Sequence, residues 1–186
     1  MGWYRNLTRR EFVQLAAAAA AASGTVSCSG ARTPWRFLRV REARTLAAIS
    51  DQLIPADQDP GADWAQVVNF IDVQLCGPFR EAQDFYRNGI VYADATARNQ
   101  FGKSFAELNG NQQIDLLAAL EKGAVPRNIW KTVDPRAFFE TVLSHTMQGF
   151  YGDPRHGGNR AHASWKMLGL SYPPVRGRLK YDASKV

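Results

Sequence analysis

Apolar residues recur at helical spacing along most of the chain. From Val40 they fall at Ala43, Leu46, Ala47, Ile49 and Leu53, and Pro55 closes that helix because the residue before a proline is pushed out of the helical region. The segment from Ala56 to Gly61 is a turn by composition. A second helix follows, with Trp64, Val67, Val68, Ile71 and Leu75 on one face and Gly77-Pro78 ending it. A third is predicted from Phe79 to Ala97, burying Phe85, Tyr86, Ile90 and Tyr92. Asn111 is the expected cap of a helix carrying Ile114, Leu117 and Leu120, stopped by Gly123 and Pro126. Asp134-Pro135 is an N-cap with proline at the first helical position. The helix it opens carries Phe138, Phe139, Val142, Leu143, Met147 and Phe150, the strongest apolar stripe in the chain. A short helix is expected around 163–168. No run alternates long enough at period two to read as a strand. The pattern predicts an all-α single domain of five or six helices with a loop-rich C-terminal part.

The first residues follow a different logic. Thr8-Arg9-Arg10-Glu11-Phe12 precedes Leu15 and seven consecutive alanines to Ala22. A basic start, a short apolar stretch and then small residues is a signal-peptide layout. The apolar run of about eleven residues falls well short of the roughly twenty needed to span a bilayer. Arg9, Arg10 and Phe12 match the twin-arginine address read by the Tat receptor, and the alanine run is too weakly apolar to suit the Sec route. The expected organisation is a twin-arginine signal peptide over 1–27, a linker over 28–39, a helical domain over 40–172 and a basic extended tail over 173–186. The expected location is the periplasm.

Charge sharpens this division. The net charge of +6 comes from the ends, because residues 45–175 hold 11 Lys and Arg against 14 Asp and Glu. A nucleic-acid binder needs its cations clustered on a folded face, so that class is set aside.

Cys28 and Cys76 are too few for a disulfide framework and form no C-x-x-C pair. Thr25-Val26-Ser27-Cys28 resembles a lipobox, which makes Cys28 a candidate lipidation site. Cleavage near Ala22 would instead leave Cys28 free to pair with Cys76 in an oxidising compartment. Cys76 ends an apolar stripe and reads as a buried small hydrophobe.

Catalytic and cofactor signatures are absent from the sequence: no G-x-G-x-x-G, P-loop, H-E-x-x-H or G-x-S-x-G occurs. Asp57, Asp59 and Asp63 suggest a calcium loop, but Gly61 stands where an acidic or amide ligand is required and Val68 where a Glu is. His145, His156 and His162, with Asp153, are the candidate ligands of an alternative reading as a stand-alone periplasmic metal-binding protein or enzyme; their spacing fits no recurring ligand motif. The stretch from Gln148 to Arg160 mixes glycines, aromatics and charges too densely for a core. It reads as a shaped loop held against something, and its candidate partner-interface residues are Phe150, Tyr151, Asp153, Arg155, His156, Asn159, Arg160 and Trp165.

Leu53-Ile54-Pro55-Ala56-Asp57, Pro60-Gly61-Ala62 and Phe70-Ile71-Asp72, followed by Gly149-Phe150-Tyr151-Gly152-Asp153-Pro154-Arg155, Gly158-Asn159 and Trp165-Lys166-Met167-Leu168-Gly169, resemble the small subunit of gluconate 2-dehydrogenase, its subunit 3 family. The resemblance covers about residues 40–172. It implies a non-catalytic accessory subunit without a cofactor of its own. Its partner would be a glucose–methanol–choline type flavoprotein carrying FAD, which oxidises a sugar, sugar acid or polyol. A c-type cytochrome subunit would take the electrons; no C-x-x-C-H occurs here, so that haem belongs to another chain. The small subunit would supply the Tat export signal and hold the flavoprotein folded.

Overall fold

In a computed structural model, residues 34–170 are described. The twin-arginine segment, Cys28 and the basic tail lie outside the described residues. Six α-helices carry the described fold: α1 Val40–Leu53, α2 Val67–Leu75, α3 Gln83–Phe101, α4 Gly110–Glu121, α5 Pro135–Tyr151 and α6 Ala163–Met167. Single 3₁₀ turns at Arg80–Ala82, Phe105–Glu107, Pro154–His156 and Arg160–His162 join them. No strand occurs among the described residues, so the all-α expectation holds.

Helices α1 and α5 form the middle of the packing. Each touches α2, α3 and α4 as well as the other, and α6 rests on α5. Leu46 and Ile49 of α1, Ile71 and Leu75 of α2, Tyr86 and Ile90 of α3, Leu116 and Leu120 of α4, and Phe138, Val142 and Phe150 of α5 are all at most 2% exposed. Proximity of α3 to α5 rests on Gly89, whose missing side chain leaves room for the Phe138 ring.

The helix ends follow from local chemistry. Asp134 Oδ1 accepts from Ala137 N at 2.9 Å, with Pro135 at the first position. The cap of α4 is Asn109 and not Asn111: Asn109 Oδ1 accepts from Gln112 N at 3.0 Å, and Gln112 Oε1 accepts from Asn109 N at 3.2 Å. This reciprocal capping box needs Gln three residues after the cap, a condition Asn109 meets and Asn111, followed by Ile114, does not. Helix α3 begins four residues later than expected, after the 3₁₀ turn, and continues to Phe101 because nothing breaks it before Gly102, which closes it in the left-handed region.

Four side chains placed in the core by periodicity are elsewhere. Trp64 lies in a turn before α2 and is 45% exposed, while Ile114 and Met147 are 53% and 42% exposed. Cys76 is exposed at the C-terminal cap of α2, not buried. Gly77-Pro78 breaks the helix there, and the stripe that hides Leu75 does not extend to its neighbour.

Residues 34–39, inside the stretch read as linker, are held to the helices. Asp72, 1% exposed on α2, accepts three backbone N–H bonds, from Arg36 at 2.6 Å, Phe37 at 3.0 Å and Leu38 at 2.8 Å. Above them the Arg87 guanidinium lies 4.5 Å from the Phe37 ring centroid and pairs with Glu42 at 3.4 Å.

Candidate functional site

The segment from Tyr151 to Trp165 is built as a bracket against its own domain. Gly152 ends α5, and Asp153 caps the next 3₁₀ turn by accepting from Arg155 N at 3.0 Å. Arg155 also donates to the Asp153 carboxylate through its side chain. These bonds, the side-chain one foremost, hold the Asp153 pKa down to about 2. A Cβ on Gly158 would come within 2.2 Å of the Gly149 carbonyl oxygen, so the two backbones meet only because residue 158 is glycine.

Asn159 is the organising residue of this segment. It is fully buried, with a backbone φ of 44°. Its amide donates to the Gly152 carbonyl at 2.8 Å, and its oxygen accepts from Ser164 N at 3.0 Å, linking the end of α5 to the start of α6. From α2, Asn69 donates to the Gly157 carbonyl at 2.7 Å. Arg160 N donates to the Ala65 carbonyl at 3.1 Å, and the Trp165 indole N–H donates to the Tyr151 carbonyl at 2.9 Å.

This placement divides the expected interface set. Phe150 and Asn159 are 1% and 0% exposed and belong to the interior, because one fills the core and the other satisfies backbone groups. Tyr151, Arg155, His156 and Arg160 are exposed; Asp153 and Trp165 are half-buried and engaged as described. The sequence reading missed Asn69 and Asp72. A signal for Asp72 was present, since it stands four residues after Val68 on the stripe read as buried, and a carboxylate there requires donors.

No three of the four candidate metal ligands are brought together. His145 stacks on Phe79 with centroids 4.0 Å apart, and its Nδ1 lies 2.8 Å from the Tyr86 hydroxyl. Burial lowers the imidazole pKa and raises that of the Tyr86 phenol, so both favour their neutral forms. His162 lies against Trp165, with ring centroids 5.2 Å apart, and Asp153 is committed to Arg155. Among the described residues, no group of three or more His, Cys, Asp or Glu is placed to hold a metal ion. The metal reading of His145, Asp153, His156 and His162 therefore fails on geometry. The Asp57–Asp63 segment is a turn: Asp59 N donates to Asp57 Oδ1 at 2.9 Å, and Asp63 N to Asp51 Oδ1 at 3.2 Å.

The described residues thus define a helical domain whose polar C-terminal segment is fastened to α2 and α5 by side-chain bonds to its backbone. The chain belongs to the gluconate 2-dehydrogenase subunit 3 family, which it matches over residues 40–171. That places it among the subunits of a dehydrogenase complex. No curated protein and no solved structure matches it significantly.

Proposed function

We propose that this chain is the non-catalytic small subunit of an exported, flavin-dependent dehydrogenase acting on a sugar, sugar acid or polyol. The observation that carries the reading is the family match, which runs from the first residue of α1 to just beyond the last described residue. The catalytic partner is a glucose–methanol–choline type flavoprotein that holds FAD, and a c-type cytochrome subunit receives the electrons. The small subunit stabilises the flavoprotein, and its leader, with Arg9, Arg10 and Phe12, directs the assembly through the Tat route to the periplasm. Cys28 is a candidate lipid anchor that would keep the complex at the membrane.

The role is consistent with how the polar side chains are used. Asp72, Asn69, Asn159, Asp153 and His145 all serve internal bonds. The test is expression of the full chain alone and together with the flavoprotein of the same organism. Alone it should show no flavin absorbance and no sugar-dependent reduction of a dye; together the two should purify as one complex. Reproducible sugar oxidation by the chain alone, or no association with the flavoprotein, would sink this reading.

A further inference from the structure

The N-terminal arm, the first turns of α1 and the outer side of α3 place apolar and cationic groups on one continuous face. Val40, Val91 and Trp64 are 48%, 51% and 45% exposed. On one side of Val40 lies a groove of about 600 Å³, walled by Trp35, Ala47, Trp64 and Val68. On the other side a groove of about 330 Å³ runs along Ile90 and Val91. Arg44 and Arg160 border the first, and Arg39, Arg41 and Arg98 the second.

The charge on this face is unbalanced. Among the carboxylates that line it, Asp94 pairs with Arg98 at 3.3 Å and Glu42 with Arg87. Nearby Glu107 is bound to Ser104. Asp63 shares the first groove with Arg44 and Arg160, and Arg41 and Arg44 also border a groove with Asp94 and Glu107. Arg39, Arg41, Arg44 and Arg160 nonetheless have no carboxylate within ion-pair distance among the described residues. A cationic patch on a body that is otherwise mildly acidic is a localised feature, not a consequence of overall composition.

We propose that this face is the docking surface for the flavoprotein subunit, and that it receives an apolar segment of that protein flanked by carboxylates. The proposal rests on the accessory-subunit reading. Exposed Trp and Arg are the residue types that dominate interface energetics. The surface is concave and its anchors are set in advance: Asp72 fixes the arm that carries Trp35, and the Arg160 guanidinium lies 5.3 Å from the Trp64 ring centroid. Pre-set side chains lose little freedom on binding. Concave grooves accept inserted side chains, whereas a bilayer surface calls for protruding ones. The C-terminal segment contributes Arg160 to this face, aimed by the bond from its N–H to Ala65, and otherwise serves as the bracket that holds it.

The experiment uses the full chain co-expressed with its flavoprotein. Arg44→Glu with Arg160→Glu, and separately Val40→Asp, alter exposed side chains, and the melting temperature of each purified chain verifies folding. Should the charge reversal prevent folding, Arg44→Gln with Arg160→Gln replaces it. Arg127→Glu with Lys131→Glu is the charge-matched control away from the face. The face variants should lower affinity for the flavoprotein by at least about tenfold, and the control should leave it unchanged. Wild-type binding should weaken as salt rises from about 50 to about 500 mM. Unchanged capture by the folded face variants overturns the docking surface while leaving the accessory role intact. So does loss of capture with Tyr151→Ala and Arg155→Ala only, which would move docking to the C-terminal segment. Binding to phosphatidylglycerol vesicles that the face variants abolish, with capture unaffected, would make this a membrane face and overturn the proposal. A wild-type chain that captures no flavoprotein overturns both readings.

Discussion

Gly89 sits in the middle of α3, where glycine costs about 0.5–1 kcal/mol relative to alanine. On propensity alone, Gly89→Ala should stabilise the protein. Its new methyl would lie 2.1 Å from Phe138 Cδ2 and 2.3 Å from Cε2. That ring has nowhere to go, because Phe85, Tyr86 and Trp130 surround it with centroids 5.6–6.4 Å away. Overpacking of this kind costs about 1–3 kcal/mol, and backbone shifts add to it, so the packing term wins. Gly89→Ala should lower unfolding free energy by about 1–2 kcal/mol in urea titrations of the isolated chain. An increase in stability would show that α3 and α5 can separate without loss. Single residues were also where the sequence was least legible. Periodicity marked Leu46, Ile71, Phe138 and Phe150 correctly, since each lies mid-stripe on a helix packed on several sides. It misplaced Trp64, Ile114 and Met147, because a stripe wider than the contact it serves leaves its margins in solvent, and no local signal says where the neighbouring helix ends.

At the scale of elements, strong punctuation was readable and weak punctuation was not. Pro55 and Asp134-Pro135 set their boundaries as expected, since proline constrains the backbone whatever surrounds it. The choice between Asn109 and Asn111 required weighing the residue three positions on. The arm over 34–38 was hidden for another reason. Its order comes from a partner more than thirty residues away, Asp72, and nothing within the arm announces it. Replacing Asp72 with Ala removes three charge-assisted bonds and leaves the buried Leu38 N–H without its carboxylate acceptor. Such bonds are worth more than neutral ones, so the total loss should be roughly 3 kcal/mol. Asp72→Asn keeps one acceptor oxygen and should fall between Ala and wild type. Hydrogen exchange at residues 36–38 separates this from a general loss of stability. In Asp72→Ala those amides should exchange far faster than the amides of α5 under native conditions. Equal acceleration throughout would mean that the arm and the core open together.

The whole molecule was legible as a class before its parts were. Period and composition predict five or six helices and a loop-rich C-terminal part, of which the described residues show six α-helices, and motifs at two distant places in the sequence carried the family. They meet in the fold, because Asn69 of α2 donates to the Gly157 carbonyl and Arg160 N donates to the carbonyl of Ala65, in the turn just before α2. What composition could not show is that the cations of α1, Arg98 of α3 and the far end of the C-terminal segment share a face, since that requires the chain to return on itself. The proposed export concerns the whole chain and gives the last prediction. A run of alanines is weakly apolar, so the proposed leader should depend on Arg9-Arg10 and make little use of the Sec route. The Tat route carries folded cargo, which lets one leader serve two subunits joined beforehand. With Arg9→Lys and Arg10→Lys together, the precursor should accumulate in the cytoplasm. The flavoprotein, if it travels on this leader, should remain there in the same proportion. Fractionation with antibodies to each subunit gives the answer. Undiminished periplasmic levels of this chain would remove the twin-arginine reading. A flavoprotein that still reaches the periplasm while this chain does not would show that each subunit is exported on its own.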